Sequence, residues 1–463
     1  MKVSLSQLKK YYTGSPYWVK KLYSSLPWSI RMGKGYRDAY SFLASAEHYS
    51  AEQWRVYQTY KLKELLVHCE ATVPYYKALF SDKGIDVNAS NIWVEFEKIP
   101  LLDKQTVLSD IDAFLSNKFR KKSLYSATTG GTTGKPMQIF YDSVSYKKEW
   151  AFKIHAWNKA IGYQPSSRKA TFRGVASGNA LWVENPIYNE IRFSPFHMVD
   201  ESLKDIVDKL VVYKPKFVHG YPSAIAALSS YLIENNLKIA SVKAVMFISE
   251  NILDGQRRLV QEAFGCEPYS FYGHSERALF ASMKADLNEY HSHPAYGVCE
   301  LVDDHGAVIK DCGLRGELVG TGFINPAMPL LRYRAGDYCM WSNVNSDNAG
   351  YGTFPVVEGR WKQEFVEGRD GKRVSLTALN MHEDLYAHID AMQYVVGEQG
   401  LVDLNIIPAV SYEQGVEEKI LAEYRDKLGD TFTVQVSLVD SLIKTKIGKC
   451  PLMVKSRVDR ISN

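Results

Sequence analysis

The sequence predicts an α/β protein in two parts: a large N-terminal domain of several subdomains over residues 1–361, built on βαβ sheets, and a small α+β domain over 362–463. Three observations predict this. Between residues 210 and 272, short apolar strands alternate with amphipathic helices, the pattern of a parallel sheet covered on both faces. The first 120 or so residues carry their apolar side chains at a helical period. After "EGRWKQ" at 358–363 the pattern shifts to a compact mixed unit of about a hundred residues, enough for a domain of its own.

Each element follows from local chemistry. In "AEQWRVYQTYKLKELLVHCEATV", Trp54, Tyr57, Leu62, Leu65 and Leu66 fall near a 3.6-residue period, and Pro74 ends the helix because it cannot continue the hydrogen-bond ladder. "KFVHG" reads as a strand running into a helix over "YPSAIAALSSYLIENN", with Ser223 as its cap and Ile225, Leu228 and Leu232 on its apolar face. The strand "KAVMFIS", the helix "ENILDGQRRLVQEAFG" and the strand "EPYSFYG" complete the alternation. Residues 315–340 read as strands around a Pro-containing loop. In the last part a helix over about 412–428 carries Val416, Ile420 and Tyr424 on one side. The strand "FTVQVSLV" follows, alternating Phe432, Val434, Val436 and Leu438.

Composition bounds the function. An apolar fraction of 46% and a charged fraction of 23% are those of an ordinary globular protein, and a net charge of +4 argues against nucleic acid as the main partner. The six cysteines are scattered without a C-x-x-C pair, which fits free thiols in a reducing compartment. His291 and His293, with Cys299 and Cys312 nearby, lack the close paired spacing of a structural zinc site. No secretory leader and no bilayer-length apolar run is read, so a cytoplasmic protein is expected. Residues 1–40 hold eight Lys/Arg against the single Asp38, with Tyr11, Tyr12, Trp18 and Trp28 among them. That composition suits a docking face for an anionic membrane or a biosynthetic complex. It equally suits a solvated helical face beside the core, which is the expectation here.

The chemistry is carried by a series of polar motifs. "TGGTTGKP" at 129–136 looks like a phosphate loop but fails the G-x-x-x-x-G-K-[ST] test, since Thr129 stands where the first glycine belongs and Pro136 follows Lys135. "YGHSE" at 272–276, "GEL…PLLRYRAGD" at 316–337, "GR" at 359–360 and "KTKIGK" at 444–449 follow in order. The strand ends "HGYPS", "SE" and "YGHSE" lie where parallel sheets bind ligands.

As a set, these motifs resemble the adenylate-forming superfamily of acyl-CoA synthetases and peptide-synthetase adenylation domains. The likeness is nearest to the phenylacetate–CoA ligase branch and its capsular-polysaccharide-associated relatives, with "ATVPYYKALF", "IPLLDKQTV", "FRG" at 172–174 and "HGYPSAI" at 219–225 in support. The resemblance implies an ATP- and Mg²⁺-dependent, AMP-forming ligase in surface (capsular or O-antigen) polysaccharide biosynthesis. Such an enzyme adenylates a carboxylic acid and passes the acyl group to a thiol such as CoA, or to an amine. Transfer of AMP itself onto an acceptor, and a degenerate nucleotide-binding protein without turnover, are the alternatives.

The resemblance also implies roles. Thr129, Gly130, Gly131, Thr132, Thr133, Gly134 and Lys135 would grip the β- and γ-phosphates, backbone amides and hydroxyls reaching them without side-chain bulk. Ser249 and Glu250 would line the adenine side, Tyr272 would pack on the adenine, and Ser275 would reach the α-phosphate. Glu276 would bind the metal, Asp337 the two ribose hydroxyls, and Arg360 the ribose or phosphate region. Lys449 would be catalytic and Lys362 the hinge about which the small domain turns. Phe196, His197, His219 and Tyr221 are the candidates for the acyl pocket. The chain departs from the family where Gly130 replaces a serine, Ser275 a threonine and Ile443 a proline, and where "CPLMV" follows Lys449 without a basic residue.

Overall fold

A computed structural model describes residues 15–129, 137–173, 180–250, 252, 254–284, 289–344, 351–355, 357, 365–376, 379, 381, 383–386, 388–398, 400–443 and 452–455. Helices fill the first part as the periodicity predicts. The longest, Ala51–Thr72, opens on a capping box in which Ser50 and Gln53 satisfy each other's backbone amides. Its two halves serve different cores. Leu62, Leu65 and Leu66 join a cluster with Tyr76, Phe80 and Phe114, whereas Trp54 and Tyr57 pack against the cluster around Trp157 and Phe280. Pro74 does end this helix, and it also begins the next, Pro74–Lys83, at a first-turn position where its missing amide costs nothing.

The middle of the chain is a ten-stranded sheet. Its parallel centre runs Glu190–Phe193, Lys169–Phe172, Phe217–Gly220, Ala244–Phe247 and Pro268–Gly273, each hydrogen-bonded to the next. Antiparallel strands extend it on both sides, beginning with Trp182–Asn185 and Phe280–Lys284. Helices Pro222–Glu234 and Asp254–Phe264 connect the parallel strands, as expected from the alternation. Side chains alternate between faces: Ala170, Phe172, Val218 and Val245 enter one core cluster, while Phe217, Ala244 and Met246 face the helix Ser143–Ile161. Gly220 is required by proximity, because a Cβ there would lie 2.4 Å from the carbonyl oxygen of Phe172.

One expected cap is corrected. Ser223 does not cap the helix Pro222–Glu234, which starts one residue earlier with Tyr221 in the cap position and no side-chain cap bond. The amide and hydroxyl of Ser223 both donate to the carboxylate of Glu250, each at 3.0 Å. A negative charge from the next strand's end thus meets the positive end of the helix.

A buried carboxylate fixes the helix Ser143–Ile161 to the sheet. Glu149 accepts from Tyr296 Oη at 2.5 Å and lies 2.9 Å from Lys153 Nζ. Burial alone would raise its pKa, but the charges of Lys153 and Arg277 and the tyrosine bond outweigh it and hold it below the usual value. A depressed carboxyl adds stability above its unfolded pKa and loses it as pH falls through the folded value. Glu149→Gln should therefore lower denaturant stability near about pH 7, and the gap to wild type should narrow below about pH 4.5. A gap that stays constant on acidification would show that this carboxylate is not ionised in the fold.

Strands Arg315–Gly322 and Tyr333–Met340 pair antiparallel on either side of a buried loop, as predicted. The N-terminal part is stitched to this hairpin. Leu102 exchanges backbone hydrogen bonds with Arg332 and Arg334, both at 2.9 Å, and Tyr76 Oη accepts from the Leu331 amide.

In the last part, a four-stranded sheet packs with the helix Gln414–Leu428. That helix has no side-chain cap, which forgoes about 1 kcal/mol. Val416, Ile420, Tyr424 and Leu428 are all buried, and at roughly 1.5–3 kcal/mol per large apolar side chain their packing decides the matter. Phe432 is buried as the alternation requires, but Leu438, at the end of an edge strand, is exposed.

Candidate active site

The C-terminal ends of the central strands and the hairpin beside them bring several sequence-predicted residues together. The strand Pro268–Gly273 delivers Tyr272, and Tyr333–Met340 delivers Asp337. Tyr272 Oη donates to Asp337 Oδ2 at 2.7 Å, and burial together with that neighbouring carboxylate drives the phenol's pKa well up. The two residues assigned to base and sugar are thus adjacent and fix each other.

Glu276 follows on a tight turn closed by the Arg277 amide on the His274 carbonyl. One carboxylate oxygen accepts from Tyr333 Oη at 3.3 Å, and the other lies 3.3 Å from His274 Nδ1. Burial would raise this carboxyl, yet His274 and the charge of Lys104 bring it down to about 2. The histidine moves the opposite way: its burial is outweighed by Glu276 and its pKa rises. Glu276 is consequently an ionised, partly sequestered carboxylate, the hard oxygen donor that a divalent cation such as Mg²⁺ requires. Ser275, between them, is exposed.

The phosphate-loop candidate is described at its base alone. Thr129 ends the strand Tyr125–Thr129, is buried, and accepts the Met137 amide on its hydroxyl at 3.3 Å. That bond closes the mouth of the loop, a role the sequence did not assign to Thr129. Gly130, Gly131, Thr132, Thr133, Gly134 and Lys135 lie outside the described residues, as do Arg360, Lys362 and Lys449.

Ser249 and Glu250 sit just past the strand Ala244–Phe247. Ser249 takes a left-handed conformation with φ 67°, and Glu250 is clasped by Ser223. The acyl-pocket candidates separate. His219 is buried in the sheet, edge-on to Trp157 with ring centroids 5.4 Å apart, and neither ring nitrogen has a hydrogen-bond partner among the described residues. Burial, with the charges of Lys169, Arg173 and Lys153 added, depresses its pKa and keeps it neutral. Tyr221 packs against the cluster on the opposite sheet face. Phe196 belongs elsewhere, inside the core of the last part with Val366, Val374 and Leu376. His197 is held by Ser194 Oγ at 2.8 Å, and its pKa is lowered by burial and then by Lys372. Phe196 and His197 therefore face the C-terminal residues, and the structure does not join them to His219.

Three residues were missed. Glu317, in "GEL", braces the ribose-side turn: Arg334 Nε and Nη2 donate to one oxygen at 2.8 and 2.5 Å, and the Gly336 amide to the other at 2.9 Å. A carboxylate nineteen residues from its partner has no local signature. His274 lay within "YGHSE" and was readable as a partner of Glu276. Lys104, in "LLDKQ", follows the Leu102 pairing by two residues, and sequence periodicity does not encode that pairing.

No family profile matches the chain. Among curated proteins, Protein CapK of Staphylococcus aureus is 24% identical over 290 residues, covering 60% of this chain and 61% of its own length. The phenylacetate–coenzyme A ligase of Aromatoleum evansii is 22% identical over 309 residues, covering 64% and 68%. The chain therefore matches less than two thirds of CapK and little more of the ligase. Among solved structures, a 2-hydroxyisobutyryl-CoA ligase in complex with 2-HIB-AMP and CoA superposes with a TM-score of 0.57 at 16% identity, covering 88% of this chain and 91% of that one. That likeness establishes a shared fold over most of the chain. The chain is thus similar in sequence to Protein CapK and to a phenylacetate–coenzyme A ligase, and it shares its fold with a 2-hydroxyisobutyryl-CoA ligase.

Proposed function

We propose that the protein is an ATP-dependent, AMP-forming carboxylate ligase. The observation that carries this reading is the convergence of Tyr272–Asp337 and Glu276–His274 at the strand ends, with Met137, which follows the glycine- and threonine-rich loop, in one core cluster with Ala278 and Tyr333. In the first step an oxygen of the acid attacks the α-phosphorus of ATP, the bond to the β-phosphate oxygen breaks, and pyrophosphate leaves. In the second, a thiol or amine attacks the acyl carbon, AMP leaves, and the nucleophile loses its proton.

Each residue has a task matched to its chemistry. Asp337, oriented by Tyr272, accepts from ribose hydroxyls, and Tyr272 offers its ring to the adenine. Glu276 would hold Mg²⁺, and the metal would offset phosphate charge. Thr129 and residues 130–135 grip the leaving pyrophosphate, and Ser275 reaches the α-phosphate. Ser249 and Glu250 line the base, and Arg360 the ribose. His219, neutral and without a hydrogen-bond partner among the described residues, is the better supported acyl-side polar residue, whereas Tyr221 lies on the opposite face of the sheet; Phe196 and His197 are better suited to contact with the C-terminal part. We also infer two domains, 1–361 and 362–463, turning about Lys362. The support is that the last part has its own core, to which Phe196 alone is added from the described residues before 362. CoA is the proposed thiol, and the likeness to CapK supports a role in surface polysaccharide biosynthesis.

The test is exchange of labelled pyrophosphate into ATP across a panel of organic acids. At least one acid should stimulate exchange by an order of magnitude or more over the acid-free rate. ATP binding with no acid-dependent exchange would overturn the ligase reading in favour of a nucleotide-binding protein. Stable transfer of AMP to a hydroxyl or phosphate acceptor would replace it with an adenylyltransferase.

A further inference from the structure

The segment that precedes the first acidic residue, Asp38, holds eight lysines and arginines and no carboxylate side chain. Within it, the helix Tyr17–Ser24 ("YWVKKLYS") buries none of its residues. Trp18 and Leu22 are each 67% exposed, Ile30 is 58% exposed, and Tyr23 and Leu26 are exposed as well. Trp18, Lys21 and Leu22 stand at i, i+3 and i+4, so two large apolar groups and a cation share one face of this helix. Isolated exposed leucines are common, but five large apolar side chains exposed between residues 18 and 30 are not.

The face is nevertheless held in place. Tyr17 Oη donates to Glu184 at 2.8 Å, and Arg31 donates to the Ile187 carbonyl at 2.6 Å. Arg31 also lies over the rings of Trp28 and Tyr23, and Trp28 is wedged between Trp150 and Tyr188. One side of the segment is therefore clamped to the body of the protein while Trp18 and Leu22 point away from it. A merely solvated helix would reverse that arrangement, with its apolar face inward.

We propose that this face is a peripheral docking surface for a membrane carrying anionic lipid headgroups. Tryptophan, tyrosine and leucine enter the headgroup boundary, and flanking lysines stay with the phosphates, their stems lying along the apolar surface. Charge decides among the occupants. Among the described residues the segment before Asp38 holds five cations, Lys20, Lys21, Arg31, Lys34 and Arg37, and of these Lys34 pairs with Asp38; a second copy of the same face would set like charges against like, so self-association there is opposed. Among the described residues no helix is long and apolar enough to cross a membrane, which leaves attachment at the surface.

The experiment is co-sedimentation of the whole chain with vesicles of phosphatidylcholine alone, and with about a third of the lipid replaced by phosphatidylglycerol. Binding to the anionic vesicles should exceed that to the neutral ones by about tenfold and should fall as salt is raised. Trp18→Ser with Leu22→Ser, and separately Lys21→Glu, should each weaken it by about tenfold or more, with circular dichroism melting unchanged because all three side chains are exposed. The proposal is overturned if the wild type ignores anionic vesicles, or if it binds them equally well with Trp18 and Leu22 replaced. A dimer in sedimentation velocity that Trp18→Ser dissolves would give the face to a second copy. Retention by a soluble polyacidic protein without vesicle binding would give it to an acidic protein partner.

Discussion

Lys449→Ala is expected to slow adenylation by about two to three orders of magnitude while ATP affinity stays within about twofold. The first step brings an anionic carboxylate against an anionic α-phosphate, and the chief obstacle is their mutual repulsion. A single ammonium on a flexible stem, placed between them in the transition state, offsets that repulsion and does little for bound ATP alone. The prediction thus has two arms: acid-dependent pyrophosphate exchange collapses, and nucleotide binding, read by titration, does not. Lys449→Arg should recover little, since a planar guanidinium cannot occupy the same point. Exchange at the wild-type rate in Lys449→Ala would remove this lysine from the reaction, and loss of ATP binding would move its role to the ground state.

The second large effect is on stability. Arg332→Met should destabilise the protein by about 3–5 kcal/mol, measured by denaturant unfolding at neutral pH. Arg332 is buried and meets Glu300 through two nitrogens, at 3.2 and 3.0 Å, while its third nitrogen donates to the carbonyls of Glu97 and Ile99. Removing it leaves a buried carboxylate and two carbonyls without their donor. Adding Glu300→Gln should recover part of the loss, because the charge goes but the orphaned carbonyls remain. A single-variant cost below about 1 kcal/mol would mean that water reaches the pair and that its burial is not sustained in solution.

These two residues mark what a sequence can and cannot disclose. The Lys449 proposal rests on a legible local signal, a lysine at the end of "KTKIGK" in an ordered series of short motifs, and the residue itself lies outside the described residues. The alternating strands and helices between Phe217 and Gly273 were equally legible, since a period change from two to 3.6 is written into neighbouring residues. Arg332, Glu317 and Lys104 were not legible. Each acts across a chain separation that no local pattern records. Ser223 shows the same limit in miniature: serine before an apolar run predicts a cap, and the tertiary neighbour Glu250 took its hydroxyl instead. The packing of Phe196 with Val366, Val374 and Leu376 is likewise a long-range contact that no local pattern records.

The backbone bonds between Leu102 and the hairpin strand bear on how the protein can be divided. A fragment beginning after residue 120 would keep Asp337, Tyr272 and Glu276 but lose Leu102's exchange with Arg332 and Arg334, the Tyr76 hydroxyl at Leu331 and the charge of Lys104. The helical first part is thus not a detachable accessory to a catalytic module. Mixing residues 1–120 with the remainder in trans should restore a cooperative unfolding transition that the remainder alone lacks, making the pair a natural split point for a two-piece reporter.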